Sequence, residues 1–147
     1  IIPVKEIVKK SVGFSDCVVV TGGEPLMWNM NPLTKELKKL GKKTHVETSG
    51  AYPLTGDWDW VCLSPKKAKL PIKDAYNHAH ELKMIIYNNH DFKFAEQEAK
   101  KVNKNAILYL QPEWEKREKM MPLMVDFVKK NPKWKLSLQT HKYLNIP

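Results

Sequence analysis

The decapeptide DCVVVTGGEP, residues 16–25, decides how this chain is read. Its apolar run, residues 16–21, has the length and β-branched content of a strand, and it stops on threonine, two glycines, a glutamate and a proline. Working outward, comparable runs occupy residues 44–48, 60–64, 82–87, 106–111 and 134–141. Between the first two, Asn31-Pro32 precedes Leu33, Leu37 and Leu40 and then Gly41. A capping residue, a proline at the first helical position and a glycine past the end predict a helix there. Ala95, Ala99 and Val102 predict a second helix from Asp91, and Met120, Met124, Phe127 and Val128 a third starting near Pro122, each stripe read as core packing. Strands alternating with helices predict an α/β fold with predominantly parallel strands, either an open doubly wound sheet or part of a (β/α) barrel. Most of the strand runs are continuously apolar, which predicts burial on both faces.

A chain of 147 residues makes one domain, residues 1–147, without linker or repeat. At 42% hydrophobic and 28% charged it is neither a disordered tail nor a fibre. No apolar run approaches the roughly 20 residues of a bilayer-crossing helix, so no membrane is expected. The only cysteines, Cys17 and Cys62, sit in apolar runs, which suits a reducing cytoplasm rather than a disulfide-stapled domain. Lys+Arg 25 against Asp+Glu 16 leaves a charge of +9. Lysines cluster at Lys38, Lys39, Lys42 and Lys43, at Lys66, Lys67 and Lys69, and at Lys100, Lys101 and Lys104. Such clusters gain free energy by releasing counterions from phosphates, so a basic RNA-binding module is the rival reading from another class. Lysines at helix carboxyl ends also complement the helix dipole, and the aromatics of an RNA-stacking surface are not interleaved, so no nucleic acid is expected. Ile1 opens the chain without a signal-peptide layout, and the chain is expected to begin mid-protein.

Four strand runs end in polar motifs: Thr21-Gly22-Gly23-Glu24-Pro25, Glu47-Thr48-Ser49-Gly50, Ser64-Pro65-Lys66 and Gln111-Pro112-Glu113-Trp114. Parallel strands aim those ends at one face, which is an enzyme's arrangement. The Gly-Gly-Glu-Pro turn lacks the spacing of a dinucleotide fingerprint and the Lys-Ser/Thr of a phosphate loop. Its glycines let the backbone approach a ligand, and exposed carbonyls with the Glu24 carboxylate suit a cationic amine. Ser64 and Lys66, flanking Pro65, suit a carboxylate or ribose hydroxyls. Glu47, His45 and His141 lie near these motifs without an assignable role. His78 and His80 lack the spacing of a helical zinc pair.

The TGGEP turn, ETSGAYP at residues 47–53, LSPKK at 63–67, YLQPEW at 109–114 and the ending QTHKYLNIP, in that order, resemble the 7-carboxy-7-deazaguanine synthase family of the radical S-adenosylmethionine superfamily. The resemblance runs from about Cys17 to Pro147. It implies an incomplete, modified (β/α) barrel that converts 6-carboxytetrahydropterin to 7-carboxy-7-deazaguanine with loss of ammonia, a lyase step toward queuosine and related 7-deazapurines. It implies S-adenosylmethionine contacts at Gly22, Gly23 and Glu24, at Ser64, Pro65 and Lys66, and at Gln111, Pro112, Glu113 and Trp114. It implies substrate contacts at Thr21 and at the free carboxylate of Pro147. A 4Fe-4S cluster, Mg2+, an electron donor such as flavodoxin or ferredoxin, a cytoplasmic location and a homodimer come with it. The chain has no cysteine triad, so the cluster cysteines and the magnesium ligand are expected upstream of Ile1. As written the N-terminally incomplete polypeptide is expected to be inactive. Another radical S-adenosylmethionine reaction, or an activase, is the alternative on the same scaffold.

Overall fold

The computed structural model describes residues 2–11, 13 and 15–146. They divide into two compact units, Ile1–His80 and Glu81–Pro147. Every named strand pairing within either unit is parallel, in chain order.

The first unit opens with α1 (Val4–Ser11), β1 (Cys17–Val20), a 3-10 turn at Pro25–Met27, α2 (Asn31–Lys39), β2 (Lys43–Thr48), β3 (Trp60–Leu63) and α3 (Lys73–His78). The predicted helix over residues 31–40 is α2, with Leu33 and Leu37 buried. Its exit follows the glycine: Gly41 takes φ +68°, its N–H donates to Lys38 O at 2.9 Å, and Lys42 N–H donates to Leu37 O at 3.1 Å, a Schellman closure. Its entrance differs from expectation. Met30 holds the cap position, while the Asn31 side chain accepts from Gly56 N–H at 2.8 Å. Leu40 ends the helix exposed rather than in the stripe.

The connection from β2 to β3 carries no helix. It is held instead by side chains: Thr34 Oγ1 accepts from Asp57 N–H at 3.0 Å, Thr55 Oγ1 from Met30 N–H at 3.1 Å, and Asp59 Oδ2 from Thr44 N–H at 2.7 Å. Lys38 reaches the same Asp59 oxygen at 2.6 Å. Gly50, at φ +73°, begins this connection, and a Cβ there would lie 2.9 Å from Ala75 Cβ and 3.0 Å from Pro71 Cβ, and would also run into Leu63.

The second unit contains β4 (Glu81–Ile86), α4 (His90–Ala99), β5 (Ile107–Pro112), a 3-10 turn at Trp114–Lys116, α5 (Arg117–Lys130), β6 (Trp134–Leu136) and α6 (Thr140–Tyr143). Its core gathers Leu82, Met84, Ile86, Ala95, Leu110, Met120, Met124 and Trp134. The Trp134 ring N–H, buried with its side chain, donates to Glu96 Oε1 at 2.6 Å. Helix α5 starts five residues before Pro122, which is absorbed within its second turn on an exposed position. The run at residues 134–141 is a strand only to Leu136. Ser137 N–H still donates to Leu110 O at 2.8 Å, and the chain then turns into α6, closed by Leu144 N–H to Thr140 O at 3.1 Å.

Burial on both faces, expected of most strands, holds for Val61, Cys62 and Leu63 of β3. Strands β2 and β4 alternate instead: Thr44, Val46 and Thr48, and Leu82, Met84 and Ile86, are buried, while His45, Glu47, Lys83 and Ile85 are half-buried. Several clustered lysines are internally paired, Lys38 with Asp59, Lys39 with Glu36, and Lys42 with Asp16 and the Ser15 carbonyl. No helix among the described residues is long and apolar enough to cross a membrane.

The hydrogen bond from Lys38, with that from Thr44 N–H, holds the Asp59 carboxyl down from 3.8 to about 2. A carboxyl depressed on folding stabilises above its unfolded value, and that contribution disappears as pH falls from about 4 through about 2. Asp59→Asn is expected to lower stability at pH 7, with the gap to the wild type closing across that window in urea melts.

Candidate active site

In the first unit the register of the strands brings the expected motifs side by side. Val20 pairs with Val46, and Thr48 pairs with Leu63. The ladder continues with Ser64 N–H donating to Thr48 O at 2.8 Å. Thr21, Glu47, Thr48 and Ser64 therefore stand at neighbouring carboxyl ends. Thr21 Oγ1 lies 3.4 Å from Glu47 Oε2.

Gly22 and Gly23 turn the chain with φ of +83° and +53°, conformations that L side chains rarely adopt. A Cβ on either would meet nothing within 4 Å. The requirement for glycine comes from the backbone angle, and the space beside the turn is open to a ligand.

Glu24 behaves otherwise than a free acceptor. Its Oε1 accepts from Thr48 Oγ1 at 2.6 Å and Leu26 N–H at 3.1 Å, and its Oε2 from Ser49 N–H at 2.7 Å and from the Ser49 hydroxyl. Four donors fill the carboxylate's roughly four lone-pair sites. Burial pushes this carboxyl up, but the bonds from Ser49, Thr48 and Leu26 outweigh burial and leave it below its ordinary value. The side chain thus caps the 3-10 turn at Pro25–Met27 and ties it to the end of β2. Ser64 is buried, and Lys66 Nζ donates to its hydroxyl at 3.3 Å, so the hydroxyl and ammonium do adjoin. Exposed Met27 and Trp28 follow the turn, apolar positions that sequence reading passed over because they fit no periodic stripe.

In the second unit Gln111 and Pro112 end β5 buried. Gln111 Oε1 accepts from the Ser137 hydroxyl at 3.1 Å, and Glu113 N–H donates to Ile86 O at 2.9 Å, which sets the ends of β4, β5 and β6 together. Glu113, like Glu24, caps a 3-10 turn, accepting from Glu115 and Lys116 N–H at 3.0 and 3.2 Å. A cavity of about 340 Å³ adjoins this turn, lined by Tyr87, Asn88, His90, Lys116, Lys119 and Met120 among others. The Tyr87-Asn88-Asn89 end of β4 carried no glycine or proline punctuation, which is why sequence reading missed it. His141 is exposed on α6, and Pro147 lies outside the described residues.

The cysteines do not fit an iron–sulfur site. Cys17 begins β1 opposite Lys43, whereas Cys62 lies near the end of β3 opposite Glu47, with β2 between them. Two strand spacings and four residues of rise separate them by roughly 16 Å. Among the described residues no three His, Cys, Asp or Glu side chains are grouped to hold a metal ion.

Parallel strands alternating with helices, with polar turns at their carboxyl ends, define an α/β protein of the kind whose ligand sites are commonly built at those ends. No family model matches the chain. A 7-carboxy-7-deazaguanine synthase from Flavobacterium psychrophilum is 64% identical over 141 residues, 96% of this chain and 67% of that protein. One from Synechocystis sp. is 53% identical over 129 residues, 88% of this chain and 62% of that protein. A crystal structure of QueE from Escherichia coli superposes with a TM-score of 0.80 at 25% identity, covering 92% of this chain and 61% of that one. The chain belongs to the 7-carboxy-7-deazaguanine synthase family, radical S-adenosylmethionine lyases, and spans about two thirds of the length of these relatives.

Glu24→Gln replaces one acceptor oxygen with an amide NH2, a donor that meets donors on whichever side it takes. It is expected to cost about 2 kcal/mol in chemical denaturation, the scale of lost bonds to a charged group. Unchanged stability with S-adenosylmethionine affinity abolished would make the carboxylate a direct ligand instead.

Proposed function

We propose that the full-length protein converts 6-carboxytetrahydropterin to 7-carboxy-7-deazaguanine with loss of ammonia, using S-adenosylmethionine. The observation that carries this reading is the 64% identity to a 7-carboxy-7-deazaguanine synthase along 96% of the chain. The Gly22–Gly23 turn, at positive φ and open beside both glycines, supports it. In this reading the carbonyls of the turn accept the cofactor's ammonium, and Glu24 keeps the turn in shape. Ser64 and Lys66 donate to the cofactor's carboxylate or ribose, with Pro65 restricting the backbone between them. Gln111, Pro112, Glu113 and Trp114 contribute a further contact with the cofactor, made by main chain at Glu113 and Trp114, whose side chains are already engaged. Thr21 orients the pterin, and the Pro147 carboxylate pairs with its adjacent N–H donors.

When bound at a 4Fe-4S cluster the cofactor supplies the radical chemistry that starts the ring contraction. The cysteines and the magnesium ligand for that are assigned to the part of the full-length protein not included in this chain. An electron donor such as flavodoxin or ferredoxin completes the requirement, and the pairing of subunits is proposed on the resemblance alone. Cys17 and Cys62 are too far apart to nucleate a cluster, so the 147-residue chain alone is expected to lack activity.

The decisive experiment reconstitutes the full-length protein anaerobically with iron and sulfide and follows carboxytetrahydropterin in the presence of S-adenosylmethionine and dithionite. Formation of the deazaguanine is expected. Reductive cleavage of the cofactor without consumption of the pterin would assign another radical reaction to the scaffold. Lys66→Ala is expected to weaken S-adenosylmethionine binding about tenfold, the worth of one charge-assisted hydrogen bond; unchanged affinity in equilibrium titration would remove Lys66 from the contact.

A further inference from the structure

Residues 140–146 are all exposed, and α6 within them has no buried residue. A single helical turn does not hold itself in water, so something outside it must fix its place. Helix α6 meets the ring of Trp114: Tyr143 lies edge-on with centroids 5.0 Å apart, and Lys142 Nζ lies 5.1 Å from its centroid. The ring is itself anchored. Arg117 lays its guanidinium 4.2 Å from the centroid and donates from Nη1 to the Trp114 carbonyl at 2.7 Å. The Glu113 cap fixes the turn from which the ring projects.

We propose that Trp114 is a positioning residue whose side chain clamps the carboxyl-terminal tail, residues 140–146, beside the end of β5. The attraction of Lys142 to the indole and the edge contact of Tyr143 supply the clamp, while Arg117 holds the ring in place. The proposal rests on the function proposed above in one respect: the tail is the segment that carries His141 and leads to the Pro147 carboxylate assigned to the pterin. Trp114 then acts on the substrate through the tail, while any main-chain contact it makes to the cofactor is independent of its ring.

The test uses Trp114→Leu in the full-length protein, which removes the π face and leaves the main chain. Hydrogen exchange at the Lys142, Leu144 and Ile146 amides, bonded to Gln139, Thr140 and His141 carbonyls, is expected to accelerate about tenfold, the scale of one exposed cation–π contact and one edge contact. KM for the pterin is expected to rise about tenfold with S-adenosylmethionine affinity held within about twofold, and Trp114→Phe should recover part of both effects, phenyl being the weaker cation partner. If Trp114→Leu fails to fold, the double substitution of exposed Lys142→Gln and Tyr143→Ala replaces it, with the same exchange and KM shifts expected. Unchanged exchange in either variant overturns the clamp. Lost cofactor affinity with unchanged exchange also overturns it, and places the ring on the cofactor. Absence of pterin turnover in the wild type would sink the proposed function, while the exchange arm would still decide the clamp.

Discussion

The carboxylate of Glu24 closes the corner on which the first unit's strand ends depend. A turn through two left-handed glycines has little local reason to adopt one shape, because glycine gives up more conformational freedom on folding than any other residue. Four hydrogen bonds from Leu26, Thr48 and Ser49 supply that reason. They connect the end of β1 to the end of β2, and the β2–β3 register carries the alignment on to Ser64. Burial opposes ionisation of this carboxyl, and the donors from Ser49, Thr48 and Leu26 outweigh it.

The second unit repeats the device. Glu113 follows a strand and a proline as Glu24 follows a strand and two glycines, and each accepts from backbone N–H groups at the start of a 3-10 turn. In both turns the acid serves the chain's own backbone. Neither carboxylate is thereby left free to accept from a ligand. The glutamate that looks most reactive in a motif is the one most engaged with its own fold.

Much of the architecture was legible because apolar runs and punctuation agreed. The Gly41 exit of α2 and the Met120 and Met124 stripe of α5 follow from spacing, and the parallel strands from the alternation of strand and helix runs. What escaped the reading was set by contacts distant in sequence. Asn31 looks like a cap until Gly56 is there to take its side chain. The run beginning at Trp134 looks like a long strand until Ser137 exhausts its pairing with Leu110. Pro122 looks like a helix start because proline suits the first turn, yet its exposed position on α5 tolerates it farther in. At the site, the motifs located the strand ends, but nothing in the letters said that Glu24 was already saturated or that Trp114 held Lys142 and Tyr143.

Gly50 shows how packing narrows the routes open to divergence. Its left-handed angle excludes branched and bulky replacements, and the side-chain carbons of Leu63, Ala75 and Pro71 exclude even the smallest one. A lineage drifting at this corner has no viable single step: trimming Leu63 first would hollow the core, and adding a methyl first would force it apart. The position is consequently frozen by three packing neighbours, and a designer randomising the strand-end loops for new ligands should leave it untouched while varying the open Gly22–Gly23 flank.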